Sequence, residues 1–362
     1  MLSFTTLSLL YLRYFAIIII ALCSFMVGFD LMDYASELPD SANLVLIYIM
    51  YKYFYAVDMM LPISLVFAII ASLVELIRSN ALVAYFALGY SKTRIMAPFL
   101  SVAGGLIGIY IALHTTNFAR ANEFADNLRE TSEFIRPTSN LFFTHEGNYI
   151  YFGNLYPLSK RAEDIRIFTF EKGALKEALN AKEAVYDNGY WNIQKAHLIR
   201  PPNGFDLHAL GIVTEDKEQL KVLRDFKPKI LDQVYEGKDN FTIGDGLDAL
   251  KLLKNQNVDV AKITNSMYRI FITPWFAPIL MVIFFTYAPV SGRFLNLSFF
   301  SFGAILVTLM VWGLFFMLGE LSNNKTLTPE MGIIAPIIGL LGVMLWRLGN
   351  PLRRVRVKSR QN

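Results

Sequence analysis

Tyr53-Phe54-Tyr55-Ala56-Val57-Asp58-Met59-Met60-Leu61-Pro62-Ile63-Ser64-Leu65-Val66-Phe67-Ala68-Ile69-Ile70-Ala71-Ser72-Leu73-Val74 carries one charged side chain in 22 residues. As a helix it is long enough for a hydrocarbon core of roughly 30 Å. Stretches near 14–32, 96–117, 270–289, 298–318 and 331–347 pass the same test. The whole chain, 362 residues, is 54% apolar and 18% charged, which excludes an ordinary soluble enzyme. Residues 118–268 break the pattern, holding 20 of the 34 Lys/Arg and 22 of the 30 Asp/Glu. The expected layout is therefore a membrane α-helical bundle of six transmembrane helices with one water-exposed insert between the third and fourth. Residues 1–117 form the first three spans, 118–268 the insert, and 269–362 the last three spans and a basic tail.

Orientation follows from the basic residues, which accumulate in short cytoplasmic loops. With both termini inside, the inner segments hold Arg13, Arg78, Lys92, Arg94, Arg293, Arg347, Arg353, Arg354, Arg356, Lys358 and Arg360, whereas the outer short loops hold only Lys52 and Lys325. The insert is then extracytoplasmic. Ile20-Ala21-Leu22-Cys23 only faintly matches a lipoprotein box, and the first span reads as a retained helix with Cys23, the single cysteine, packed among apolar side chains. The tail from Arg353 to Arg360 suits the anionic inner leaflet.

The insert begins as a continuation of the third helix over 118–135 and then reads as β. Tyr149–Phe152, Ile165–Phe170, Trp191–Gln194 and Phe205–Val213 are β-branched or aromatic, separated by turns at Asp187-Asn-Gly189 and Pro201-Pro-Asn-Gly204. A small sandwich or an open roll fits these short strands. Helical periodicity returns from Gly244 to Lys254.

Catalytic signatures are missing. There is no nucleotide-binding glycine loop, no zinc-protease helix around His145 and no Gly-x-Ser-x-Gly elbow, and nothing directs the chain to nucleic acid. Gly104-x-x-x-Gly108 permits close helix contact. Asp30, Asp58 and Glu320 sit near the outer ends of spans, where a carboxylate either rests among headgroups or faces a pathway. The inner loop from Glu75 to Ile95 presents Leu82, Val83, Tyr85, Phe86 and Leu88, with Gly89 able to end a short helix and Ser91 or Thr93 able to cap the next. Such an apolar loop either packs on its own bundle or docks a cytoplasmic partner as an interfacial helix.

Taken in order, these motifs resemble the LptF/LptG permease family, the membrane subunits of the ABC exporter that extracts lipopolysaccharide. The resemblance spans nearly the whole chain and is carried by Asp58-x-x-x-Pro62, Ala87-Leu-Gly-Tyr-Ser91 with Arg94-Ile95, Tyr268-Arg269 with Pro274, Arg293, and Leu321-Ser322 with Thr328-Pro329. Within the insert, Asn148–Phe152, Ile165–Phe170, Ala184–Trp191 and Ile243–Lys254 are more similar to the G member than to the F member. The resemblance implies a periplasmic all-β jelly-roll-like insert and a chain with no ATPase site or cofactor of its own. ATP and Mg would be handled by an LptB-type ATPase dimer, and an LptF-type permease would be the membrane partner. LptC and LptA would receive lipopolysaccharide on its way to the outer membrane.

The same resemblance makes Asn80, Ala81, Leu82, Tyr85, Phe86, Gly89, Ser91 and Arg94 the ATPase-coupling loop. Phe25, Phe29, Lys52, Leu306, Leu309 and Phe316 become lining for a lipid cavity, and Phe152, Phe168 and Phe170 for a periplasmic slot. Two positions depart from the family pattern. The acidic residue expected eight positions before the coupling glycine is Ala81 here, and the outer end of the first span carries Asp30 and Asp33 where some members have basic residues. The competing class is a membrane scaffold or receptor that moves nothing, in which the apolar loop and the faces of spans one and five are ordinary packing.

Overall fold

The computed structural model describes residues 2–131, 137–145, 147–157, 159–171, 173–202, 211–224, 226, 228, 241–253, 260–291 and 296–349. Arg293, the tail from Arg353 to Arg360 and the segment 203–210 lie outside the described residues. Among them six helical segments have the length and apolarity to cross a membrane, at Ser3–Asp33, Ala42–Arg78, Lys92–Leu113, Ala261–Tyr287, Leu297–Asn323 and Glu330–Gly349. The chain divides into two compact units. One comprises Met1–Leu38, Val45–Asn122 and Thr264–Asn362, and the other Pro39–Leu44 and Glu123–Ile263.

In the helical unit, α1 (Leu2–Asp33) and α2 (Ala42–Arg78) are joined to α4 (Lys92–Leu113) through the short α3 (Ala81–Ala87). The long α2 is the pillar. Buried residues make up 72% of its apolar window, against 17% for α1. Tyr11 of α1 shows how the two meet, its hydroxyl donating to the Leu65 carbonyl at 3.0 Å while its ring stands edge-on to Phe99. Cys23 is buried and packs with Val27 and Ala56. Gly104 and Gly108 face open space within this chain.

The fourth span is not one continuous helix. α7 (Ala261–Phe271) gives way to a 3-10 turn at Thr273–Trp275 and then α8 (Phe276–Tyr287), because Pro274 has no N–H to continue the ladder. The fifth is α9 (Leu297–Asn323), started by the Asn296 side chain accepting from the Ser298 N–H at 3.0 Å. The sixth opens with a π-helical turn, Glu330–Ile334, before α10 (Ala335–Gly349). Gly332 is needed in that turn. A Cβ there would come within 2.8 Å of the Ser322 Cβ and 3.0 Å of the Leu318 carbonyl.

In the second unit, α5 (Ala121–Thr131) leads to a six-stranded antiparallel sheet that follows chain order: β1 (Thr138–His145), β2 (Asn148–Tyr156), β3 (Arg161–Glu171), β4 (Ala174–Asp187), β5 (Tyr190–Arg200) and β6 (Val213–Val222). The β4–β5 turn is the one the sequence announces. Asn188 and Gly189 both have positive φ, 50° and 84°, between the paired Asp187 and Tyr190, which is a two-residue hairpin turn matched to strand twist. α6 (Ile243–Leu253) follows, its start fixed by Thr242, whose hydroxyl accepts from the Asp245 N–H at 3.2 Å.

One face of the sheet is a core of Ile150, Phe152, Ile165, Ile167, Leu179, Trp191, Ile193 and Leu198. Phe152 on β2 and Trp191 on β5 have ring centroids 5.2 Å apart. Three strand spacings separate these strands, roughly 14 Å in a flat sheet, so the sheet curls round its own aromatic core. Alanines make the room, with Ala162 opposite Ala184 and Ala181 opposite Ala196 on the crowded inner face. Phe226 closes the roll, stacked on Phe143 at 5.0 Å with its carbonyl accepting from the Trp191 Nε1 at 2.9 Å. Of the two architectures open from sequence, the strands form the roll.

Removing that plug leaves an apolar void between β1 and β5. Phe226→Ala is expected to destabilise the β unit by about 3–5 kcal/mol, read in the full chain as faster deuterium exchange across β1 and β5, with no change in α2.

Candidate functional site

Three breaks in regular helix meet at one place. Pro62 in α2 cannot pair with the carbonyl of Asp58 one turn before it, the 3-10 turn interrupts the fourth span, and the π turn opens the sixth. Pro62, Thr273, Pro274 and Ile333 line a common cleft with room for about 80 Å³, together with Asp58, Tyr110, Asn265, Arg269, Glu320 and Asn323. Non-helical backbone within a membrane is tolerated where it is covered by protein or lines a cavity.

Asp58 is held from α4. The Tyr110 hydroxyl donates to its Oδ1 at 2.8 Å, and the His114 Nε2 lies 3.1 Å from the same oxygen. The other nitrogen of His114, Nδ1, faces the Tyr110 carbonyl at 2.9 Å. Both ring nitrogens thus face oxygen atoms. Arg269 lines the same cleft as Asp58. Across the cleft the Asn265 Nδ2 donates to Asn323 and, at 3.4 Å, to the Gly319 carbonyl. No group of three His, Cys, Asp or Glu converges on a metal position among the described residues.

The aromatic and aliphatic residues expected to line a lipid cavity lie on the surface of the helical unit. Phe25, Phe29, Leu306, Leu309 and Phe316 are all exposed, the Phe25 and Phe29 rings tilted against each other at 4.6 Å and Phe316 stacked on Trp312 at 6.1 Å. α1 packs on α4, and α9 packs on the π turn and, through Phe315 stacked on Phe276, on α8. Lys52 is placed differently from the other five. It is buried, 3.3 Å from Asp30 and donating to the Asn122 Oδ1 at 3.0 Å, while the Tyr48 hydroxyl donates to the same Asp30. Asp30 is therefore charge-matched within the chain.

The loop at the other end of α2 is stapled by backbone conformation. Asn80 starts α3 at φ 58°, a left-handed position that asparagine tolerates, and Gly89 leaves it at φ +82°. Ser91 caps α4, its hydroxyl accepting from the Arg94 N–H at 3.3 Å. Leu82 turns inward and is buried. Ala81, Tyr85 and Phe86 are half-buried, Leu88 at the tip is 74% exposed, and the Arg94 guanidinium lies over the Tyr90 ring at 5.0 Å. Within the β unit, Phe152 belongs to the inner core, whereas Phe168 is half-buried and Phe170 exposed on the outside, where Phe170 meets Tyr149 edge-on at 5.2 Å. The three slot residues do not share one face.

Asp58 and Glu320 stand out in sequence as charges near span ends and Arg269 as part of the Tyr268-Arg269 motif, but Tyr110, His114, Asn265 and Asn323 escape it. The available signal was polar residues inside or beside apolar spans, each costly unless it faces a partner or cavity.

Six membrane-length helices, with a curled antiparallel β unit inserted after the third, define a multi-pass membrane protein with a β insertion. The family described as lipopolysaccharide export system permease LptF/LptG matches residues 9–350, and the chain belongs to that family. It is thus a transport subunit rather than an enzyme. No curated protein matches the chain.

Asp58 gives a test of the cluster. His114→Ala removes one of the groups held against a half-buried carboxylate and is expected to cost about 1–3 kcal/mol, seen as a lower thermal transition of the purified chain in detergent. Adding Asp58→Asn to His114→Ala should recover part of the loss, a coupling that independent sites would not show.

Proposed function

We propose that this chain is one permease half of an ABC exporter that takes lipopolysaccharide from the outer leaflet of the inner membrane and passes it to a periplasmic bridge. The observation that carries the reading is the family match over residues 9–350. Its insert motifs are those of the LptG type, and an LptF-type permease is the second half. In this reading both termini are cytoplasmic and the β unit is periplasmic, as the basic residues of the short loops require.

The structure lends physical support at four places. Exposed apolar faces on α1 and α9 suit a lipid cavity completed by a second half. Pairing between Lys52 and Asp30 offsets the charge that otherwise opposes a lipid phosphate at the outer end of α1. The α3 loop offers Val83 and Leu88 as exposed apolar contacts for an LptB-type ATPase dimer, which binds and hydrolyses ATP with Mg. LptC and LptA would accept the lipid from the roll, whose exposed Phe142, Tyr149 and Phe170 form an aromatic patch on β1–β3.

Photocrosslinking from Phe29 and Leu309 in cells should give lipopolysaccharide adducts that require an active ATPase. Adducts at neither position, with the ATPase bound and working, would exclude a lipid path along these helices. Leu88→Asp should reduce co-purification of the ATPase by about ten-fold or more, a loss of one buried apolar contact plus one desolvated charge, while the helical content of the chain is unchanged.

A further inference from the structure

Tyr90 joins the α3 loop to the first span. It follows Gly89 at the exit of α3, and its N–H donates back to the Tyr85 carbonyl at 3.0 Å. The half-buried ring stands edge-on to Tyr85 at 5.6 Å, with the Arg94 guanidinium over it at 5.0 Å. Its hydroxyl is hydrogen-bonded to the Ser3 Oγ at 3.1 Å, across 87 positions of sequence. Side chains from α3, α4 and α1 therefore meet on one tyrosine.

The contact is significant because the covalent route from α1 to the loop runs through all 37 residues of α2. Apolar packing of α1 on α4 is non-directional and allows a helix to slide or turn. A hydrogen bond weakens steeply off its line, so the Ser3 and Tyr90 pair fixes how α1 stands against the loop. At the other end of α1, Asp30 pairs with Lys52 and accepts from Tyr48, both on α2. The span is thus held by the loop at one end and by α2 at the other, and movement of the loop against α2 must turn or slide it. α1 is 32 residues of helix with no proline, so a displacement at Ser3 is carried along it instead of being absorbed at a kink. Phe25 and Phe29 stand exposed on that rod, about 33 and 39 Å from Ser3.

We propose that Tyr90 is a positioning residue for export, which carries movement of the α3 loop into α1 through its hydroxyl on Ser3 and so to the apolar face at Phe25 and Phe29. The assignment rests on the export reading and adds to it the route by which the ATPase reaches one wall of the lipid cavity.

The test uses the complex with its ATPase in proteoliposomes carrying lipopolysaccharide, with a photoreactive side chain at Phe29 or at Leu309. Lipid adduct, ATPase bound and ATP hydrolysed are read together. Ser3→Ala, outside the loop, should leave ATPase binding and hydrolysis unchanged while adduct at Phe29 per ATP hydrolysed falls about five-fold, the scale of one hydrogen bond. Tyr90→Phe keeps the ring against Tyr85 and Arg94 and should show the same fall. The two substitutions together should lose no more than either alone, because both remove one interaction. An adduct-to-hydrolysis ratio unchanged in both variants, including a loss of adduct that only tracks lost ATPase, would overturn the assignment, as would losses that multiply in the double variant. No adduct at either position from the otherwise unaltered chain, with the ATPase bound and hydrolysing, would overturn the export reading and the assignment with it.

Discussion

Hydrocarbon supplies no hydrogen bonds, so every backbone group inside it must be answered by the protein. That constraint makes α2 the centre of the helical unit. It has the most to hide, a proline in mid-helix and a carboxylate one turn before it, and it is the most buried of the spans. The other two irregularities, at Thr273–Trp275 and Glu330–Ile334, gather on the same side of it. Each alone would expose unpaired backbone to lipid. Together they line one protein-walled cleft, and the cluster of Asp58, Tyr110 and His114 forms where that cleft meets α4.

The β unit solves a different problem, that of enclosing a core with one sheet. A flat six-stranded meander has two faces and no lid. Curling brings Phe152 to Trp191 and lets Phe226 close the gap, so the inner face becomes an interior without a second sheet. The small side chains at 162, 181, 184 and 196 are the condition for that curvature, because the concave side has less area per residue than the convex one. The same curvature spreads the convex side, where Phe142, Tyr149 and Phe170 stand exposed.

The six spans were legible because apolar length is a local property that tertiary context does not overwrite. The roll was legible only in part. β4 runs Ala174-Leu-Lys-Glu-Ala-Leu-Asn-Ala-Lys-Glu-Ala-Val-Tyr-Asp187, a composition of strong helix formers, and it is a strand because β3 and β5 pair with it on both sides. β6, Val213–Val222, is concealed by its charges at 215–218, which belong to an edge strand. In the helical unit, the loop residues Gly89 and Ser91 announced their conformations through chemistry that is theirs alone. The cleft did not announce itself, since its parts come from residues near 58, 110, 265 and 320 and no local pattern links them. Lys52 was misleading for a related reason. A basic residue at a span end reads as available to a headgroup until Asp30, from another helix, is seen beside it.

The length of α2 has a mechanical consequence. At 37 residues it is about 55 Å long, well beyond the hydrocarbon thickness, and it runs without a loop from the neighbourhood of Lys52 and Asp58 to Arg78, two residues before Asn80 opens α3. A body of that length and stiffness behaves as a lever. A rotation of about 5° at the α3 end displaces the far end by roughly 4 to 5 Å, more than the reach of a hydrogen bond. The contacts of Lys52 with Asp30 and of Asp58 with Tyr110 and His114, about 39 and 30 Å from Arg78 along the rod, would shift by roughly 3.4 and 2.6 Å under the same tilt, and Pro62 marks the place where the rod can bend instead of transmitting it.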